Sequence, residues 1–214
     1  MRLRTSLLGL LAAPVLLAGS DAARAQSCTA APELALAGGY ASYRVADGTA
    51  GPAFGADAAF QAGSMGVRVR YRRVLLDGAA PDPDILRGSV TYPTVWVGDI
   101  MVCADLHAGV SRFELNADVG AVLAGGGGLT LTPAVSGPVR PWVSVRGLGG
   151  WATGTILGLE IDATALAAGV EAGVAARVGA VSLRVIAARD GFDDGLGVTP
   201  YPGDSYEITV GYHF

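Results

Sequence analysis

Lysine is missing from this chain: all 15 basic residues are arginine. Charge of either sign is scarce, at 16% of residues, while 51% are hydrophobic. A soluble domain usually carries about a quarter charged residues. So few charges would cover an aqueous surface poorly, whereas a wall facing lipid needs none. The formal charge of −4 leaves no basic footprint for nucleic acid, which is not expected as a partner. Glycine, by contrast, is abundant, at 32 of the 214 residues. Glycine disfavours helix interiors, so a large all-helical fold is excluded. Cysteine and histidine number two each. A Cys₂His₂ zinc site is conceivable by count, but the spacing has no finger character.

Long apolar runs are confined to the beginning. Arg2 and Arg4 precede an apolar stretch from Leu7 to Gly19, too short for a comfortable membrane helix. Ala23-Arg24-Ala25 fits small-x-small cleavage, so residues 1–25 read as a signal peptide. A lipoprotein reading fails, because Ser20 stands where the run Leu16 to Gly19 would need a cysteine. Cleavage removes three arginines and one aspartate, leaving 12 basic and 18 acidic residues, a formal charge of −6. Residues 26–33 read as a periplasmic N-terminal segment and 34–214 as one barrel domain. No later stretch is long enough for a transmembrane helix. A membrane-inserted chain would then have to close into a barrel, which satisfies every backbone group.

What is present is strict alternation. Tyr206, Ile208, Val210, Tyr212 and Phe214 fall on one face of an extended strand, opposite Ser205, Glu207, Thr209, Gly211 and His213. Met65, Val67, Val69 and Tyr71 alternate in the same way with Gly66, Arg68, Arg70 and Arg72. Arginine in lipid costs about 2–4 kcal/mol near the midplane, so the arginine face must point inward. Similar alternation recurs around Val102–Val110, Val139–Val145, Leu166–Val178 and Val181–Ala187. The terminal Tyr212-His213-Phe214 resembles the aromatic-x-Phe ending of bacterial outer-membrane β-barrel proteins. That resemblance implies an assembly signal at Tyr212 and Phe214, read by the barrel assembly machinery. Thr209 departs from it, standing where the family usually has glycine.

Turn signals at Asp47-Gly48, Asp77-Gly78, Asp190-Gly191 and Pro202-Gly203 divide the runs. The expected fold is all-β: a transmembrane antiparallel barrel of ten strands, with eight as the alternative count. The strands fall near 34–45, 53–62, 65–75, 85–97, 101–113, 118–131, 139–152, 164–178, 181–190 and 205–214. An even count returns the C-terminus to the side of the N-terminus. Gly63-Ser64 and Gly179-Ala180 suit short periplasmic turns. The segments 79–84, 154–162 and 190–204 read as longer acidic extracellular loops, solvated or bridged by divalent cations to lipopolysaccharide. A soluble lipocalin-like barrel is the alternative fold; it would force the arginine face outward into water.

The inward polar set comprises Asp57, Arg68, Arg70, Arg72, Asp105, Arg146, Glu171, Arg177, Arg184 and Glu207. A small barrel is just wide enough to be filled by such side chains. A salt-bridged plug is therefore the first reading, since charges away from bulk water need partners. An anion-selective passage or ligand site is the second. Asp105, His107 and Ser111 share a strand face, but Ser111 lies two inward steps beyond His107, roughly 13 Å along the strand. That separation is outside the reach of a nucleophile and its base. The outer-membrane phospholipase, lipid A deacylase and omptin proteases carry denser motifs. No catalytic residue, metal site or cofactor is therefore expected. Gly125 to Gly128 has no following helix and reads as room for curvature or bulky neighbours, not as a phosphate loop.

Exported cysteines in even number tend to pair. Cys28 precedes the first strand and Cys103 follows a turn near Asp99, placing both at one end of the barrel. A Cys28–Cys103 disulfide is expected, with free or intermolecular thiols as the alternative. The functional expectation is a non-enzymatic, monomeric outer-membrane protein of structural or surface-interaction character. Its partners would be outer-membrane lipid, lipopolysaccharide and the barrel assembly machinery. A narrow porin for small anionic solutes ranks second, and an enzyme at the membrane face third.

Overall fold

Alternation of apolar and polar residues makes each segment a strand with one dry and one wet face. The computed structural model describes Cys28 and residues 33–42, 50–77, 82–115, 118–133, 138–156, 159–193 and 203–214. The signal-peptide segment and the parts of the expected extracellular loops at 78–81 and 194–202 lie outside the described residues. Ten strands are present: β1 Glu33–Ser42, β2 Ala50–Ala62, β3 Met65–Val74, β4 Asp84–Val97 and β5 Ile100–Leu115. They continue as β6 Asp118–Pro133, β7 Val139–Ile156, β8 Leu159–Val178, β9 Val181–Asp193 and β10 Asp204–His213. Each pairs antiparallel with its sequence neighbours, and β1 pairs with β10 from Glu33↔His213 to Ser42↔Asp204, closing the barrel. The count is ten, and the eight-strand alternative falls: residues 84–91 pair with β3, and 84–97 pair with β5, so β4 is a strand of its own.

Three tight turns cluster at the end that also holds Glu33 and Phe214. Gly63, Gly98 and Gly179 adopt φ of 63°, 60° and 61° there. A left-handed backbone in a two-residue hairpin is what glycine permits without strain. This is the turn end; the opposite end is the loop end. Within β4 the register shifts between Pro93 and Val95, because proline has no N–H to give to the ladder.

Two segments differ from the sequence reading. Residues 154–162 are not a long loop: β7 runs to Ile156 and β8 starts at Leu159. Nor does Asp190-Gly191 end its strand, since Asp190 pairs with Gly169 and Gly191 with Ala168. A hairpin ladder continues as long as each backbone group finds a partner across it, whatever the local turn propensity. Glu33, read as part of the N-terminal segment, is the first residue of β1.

The solvent pattern is inverted relative to a soluble protein. Leu36 is 73% exposed and Leu166 72%, while Arg184 and Asp57 are each 2% exposed. Outward positions carry Val69, Leu106, Leu123, Val145, Leu183, Val185, Ile208 and Val210, all exposed. Exposed aromatics flank this belt: Tyr40, Phe54, Tyr71, Trp151 and Tyr206 toward the loop end, Phe60, Tyr212 and Phe214 toward the turn end. Outward charges appear beyond the loop-end aromatics, where Arg73 pairs with Asp84 at 3.3 Å and Arg189 with Asp204 at 3.6 Å. Tyr71 also donates its hydroxyl to Asp84 at 2.6 Å. The shortest strands, β1, β3 and β10, have 10 residues, within the ~9–11 that a tilted strand needs to cross a bilayer core.

Candidate functional site: a lumenal ion network and cavity

The inward face of β3 delivers three arginines in succession, and neighbouring strands bring carboxylates to meet two of them. Asp57 on β2 forms an ion pair with Arg72 at 2.6 Å and lies 3.6 Å from both Arg70 and Arg184. Arg72 also reaches Glu207 on β10 at 2.8 Å. Arg184 on β9 is paired with Glu33, and His213 Nε2 lies 3.6 Å from the same carboxylate. Arg70 crosses the lumen to Glu171 on β8, giving two hydrogen bonds of 3.1 and 3.3 Å. Arg146 on β7 bridges Glu171 at 3.3 Å and Asp190 at 2.7 Å. Arg87 on β4 lies 3.5 Å from Asp190. The result is one connected chain of alternating charges across the barrel interior. Burying so many ions without pairing would cost several kcal/mol each; pairing makes the arrangement tolerable.

Small residues make the space for it. A Cβ at Gly169 would lie 2.1 Å from Asp190 Oδ1 and 2.9 Å from Arg146 Nε. One at Gly211 would meet Glu33 Oε1 at 2.0 Å, and one at Gly173 the Trp142 ring at 2.2 Å. Trp142 donates its indole N–H to Glu171 at 3.4 Å. The glycine run of β6 has a related basis: a Cβ at the inward Gly126 would lie 2.0 Å from the Gly147 carbonyl. Close backbone approach between β6 and β7, not anion binding, accounts for it.

Of the ten sequence-derived polar residues, Asp57, Arg70, Arg72, Arg146, Glu171, Arg184 and Glu207 join the ion chain. Asp105 is inward and buried but accepts from Thr130 Oγ1. Arg177 sits exposed at the turn-end mouth, its Nε bonded to the Gly179 carbonyl at 3.0 Å; the two-residue turn beyond it keeps it at the rim. Arg68 points inward without an ion pair within 4 Å among the described residues. Glu33, Arg87 and Asp190 belong to the chain although the sequence reading did not include them. Alternation alone could have found Asp190, which shares a face with Ser182 and Arg184 once β9 is allowed to continue.

Asp105, His107 and Ser111 are not brought together. His107 lines a cavity, whereas Ser111 is fully buried at a position that pairs with Ile85 and Val122. No group of three metal-ligating side chains occurs among the described residues. Cys28 and Cys103 are joined by a disulfide with a Cα–Cα distance of 6.2 Å. It ties the chain ahead of β1 to β5, four strands around the ring.

Two layers complete the interior. Toward the loop end, Ala41, Ala53, Val74, Ile85 and Ala124 form a buried apolar cluster, with Leu76 packed on it. Toward the turn end a cavity of about 590 Å³ is lined at its mouth by Cys28, Gln61, Arg177 and His213. Seven arginines and three carboxylates line it.

No family model matches the chain, and no curated protein matches it. Among solved structures, Neisserial surface protein A is 14% identical, covering 86% of this chain and 96% of its own, with a TM-score of 0.45. An outer membrane channel from Pseudomonas putida F1 is 10% identical, covering 91% and 98%, with a TM-score of 0.43. A loop-deletion mutant of OmpT, an outer membrane protein of Vibrio cholerae, is 12% identical over 81% of this chain and 61% of that one, with a TM-score of 0.36. These neighbours are bacterial outer-membrane β-barrel proteins, and this chain is a closed antiparallel β-barrel.

Proposed function

We propose that this chain resides in the bacterial outer membrane as a sealed barrel of structural or surface-interaction role, without catalytic activity. The observation that carries this reading is the inversion of the fold, with an apolar belt exposed and an ion chain buried. An apolar outer wall this extensive is stable only against lipid or a partner, and a closed barrel leaves no unpaired edge in the bilayer. The turn end faces the periplasm and the loop end the exterior, the usual disposition of short and long connections. Sealing is supported by the order of the interior layers: a cavity at the turn end, then the charge chain, then the apolar cluster. In this reading outer-membrane lipid and lipopolysaccharide surround the belt, the monomer is the working unit, and Tyr212 and Phe214 serve the assembly machinery.

The narrow porin is the second reading, favoured by the arginine excess in the cavity. Two experiments test the proposal. Outer-membrane fractionation with a heat-dependent gel shift reports insertion, and loss of both in favour of a soluble periplasmic fraction would overturn it. Planar-bilayer recording of the purified protein should give no steady conductance. Discrete anion-selective steps would replace the sealed barrel with the porin.

A further inference from the structure

Three neighbouring strands place three polar side chains in one row inside the cavity. Arg68 on β3 is directly opposite Ser89 on β4, and Ser89 is directly opposite His107 on β5. Side chains in such cross-strand positions lie about 4.5–5.5 Å apart at Cβ, and all three line the cavity. The row is short of partners. Arg68 Nε and His107 Nε2 are buried and without a hydrogen-bond partner among the described residues. The acids that could answer Arg68 are committed elsewhere: Asp57 to Arg72 and Arg184, Glu171 to Arg70 and Arg146. Asp105, one inward step from His107, is held by Thr130. A half-buried guanidinium with no ion pair among the described residues is costly, and the partner that would relieve it is an anion.

We propose that this cavity is a binding site for a small oxyanion, entered from the turn end, with the guanidinium of Arg68 as its anchor. Arg68 presents fixed planar donors suited to the oxygens of a phosphate or carboxylate. Ser89 supplies a hydroxyl donor beside it, and His107 a ring N–H from the far side of the row. The surplus of arginines over carboxylates around the cavity raises the local concentration of anions. The volume is of the size that encloses a small molecule. In the sealed-barrel reading the apolar cluster and ion chain above close the far end, so ligand enters and leaves by the same mouth. The site rests on the cavity and holds whether the barrel's role is structural or not.

The test uses the disulfide-bonded mature protein folded in detergent, in a low-salt zwitterionic buffer, with inorganic phosphate and acetate as separate calorimetric titrants. Binding of either at one site per chain is expected, weakened at least about tenfold in R68Q and unchanged in R73Q, whose arginine lies on the outer face of the same strand. R68Q removes a half-buried charge that has no ion pair within 4 Å among the described residues and should fold at least as well as the parent. As a second readout on unaltered protein, saturating phosphate should protect Arg68 from phenylglyoxal, scored by peptide mass spectrometry against Arg73. No binding of either titrant, equal binding by R68Q, or absence of selective protection would overturn the proposal. Anion conductance would remove the sealed-barrel reading while leaving this site in place.

Discussion

Replacing Arg146 with leucine removes the cation that joins two buried carboxylates. In the native lumen its guanidinium makes three hydrogen bonds to Asp190, at 3.0, 2.7 and 2.9 Å, and one to Glu171 at 3.3 Å. After the change Asp190, only 6% exposed, keeps Arg87 at 3.5 Å, and Glu171 keeps Arg70 at 3.1 Å. Removing one partner of a buried pair costs about 3–5 kcal/mol. The surviving contacts put R146L at the lower end, ~3 kcal/mol of lost stability. The double variant R146L/D190N removes the stranded charge as well, and should recover ~1–2 kcal/mol of that loss. R73L is the comparison, because its ion pair is half-exposed on the outer rim and is worth at most ~1 kcal/mol. Urea unfolding in lipid vesicles, followed by tryptophan fluorescence and by the heat-dependent gel shift, measures all three. An R146L loss no larger than that of R73L, or a double variant no more stable than R146L, would refute the paired lumen.

The remaining predictions follow from the same architecture. G169A should cost about 1–3 kcal/mol by overpacking Asp190 and Arg146, while G147A, with nothing within 4 Å of its Cβ, should be near neutral in the same unfolding assay. C28S/C103S should lose a bridge spanning 75 residues, a loss of at most about 4.5 kcal/mol on the chain-entropy estimate; two reactive thiols in denatured, unreduced wild-type protein would contradict the bridge. Spin labels at positions 69, 183 and 208 should meet lipid-soluble quenchers, and labels at 68, 184 and 207 should not; the opposite pattern would invert the barrel. Deletion of Phe214 should reduce outer-membrane yield more than folding yield in detergent, and equal losses would confine its role to packing.

Strand number and facing were legible in the sequence because both are local. A strand exposes alternate residues to opposite sides, so Arg68, Arg70 and Arg72 declare one face of β3 without reference to any other segment. The same period identified β8, β9 and β10, and the penalty for arginine in lipid chose which face was inside. The even cysteine count and the shared end of the barrel were likewise enough to name Cys28 and Cys103 as partners. Strand ends were less legible, since Asp190-Gly191 has turn propensity that the β8–β9 ladder overrides.

Only closure of the barrel decided which charges meet. Arg70 and Glu171 are 101 residues apart and Arg72 and Glu207 are 135 apart; neither pairing is a property of its strand. Each depends on the stagger accumulated around ten strands, which fixes the height at which opposite walls face one another. The same stagger carries Glu33 to Arg184 and Asp190 to Arg146, drawing into the network residues that a strand-by-strand reading sets at its margins. It also leaves Arg68 beside a cavity rather than a carboxylate. Alternation tells a side chain which way to point, because that is set by its own backbone. What stands opposite is set by every register in the ring.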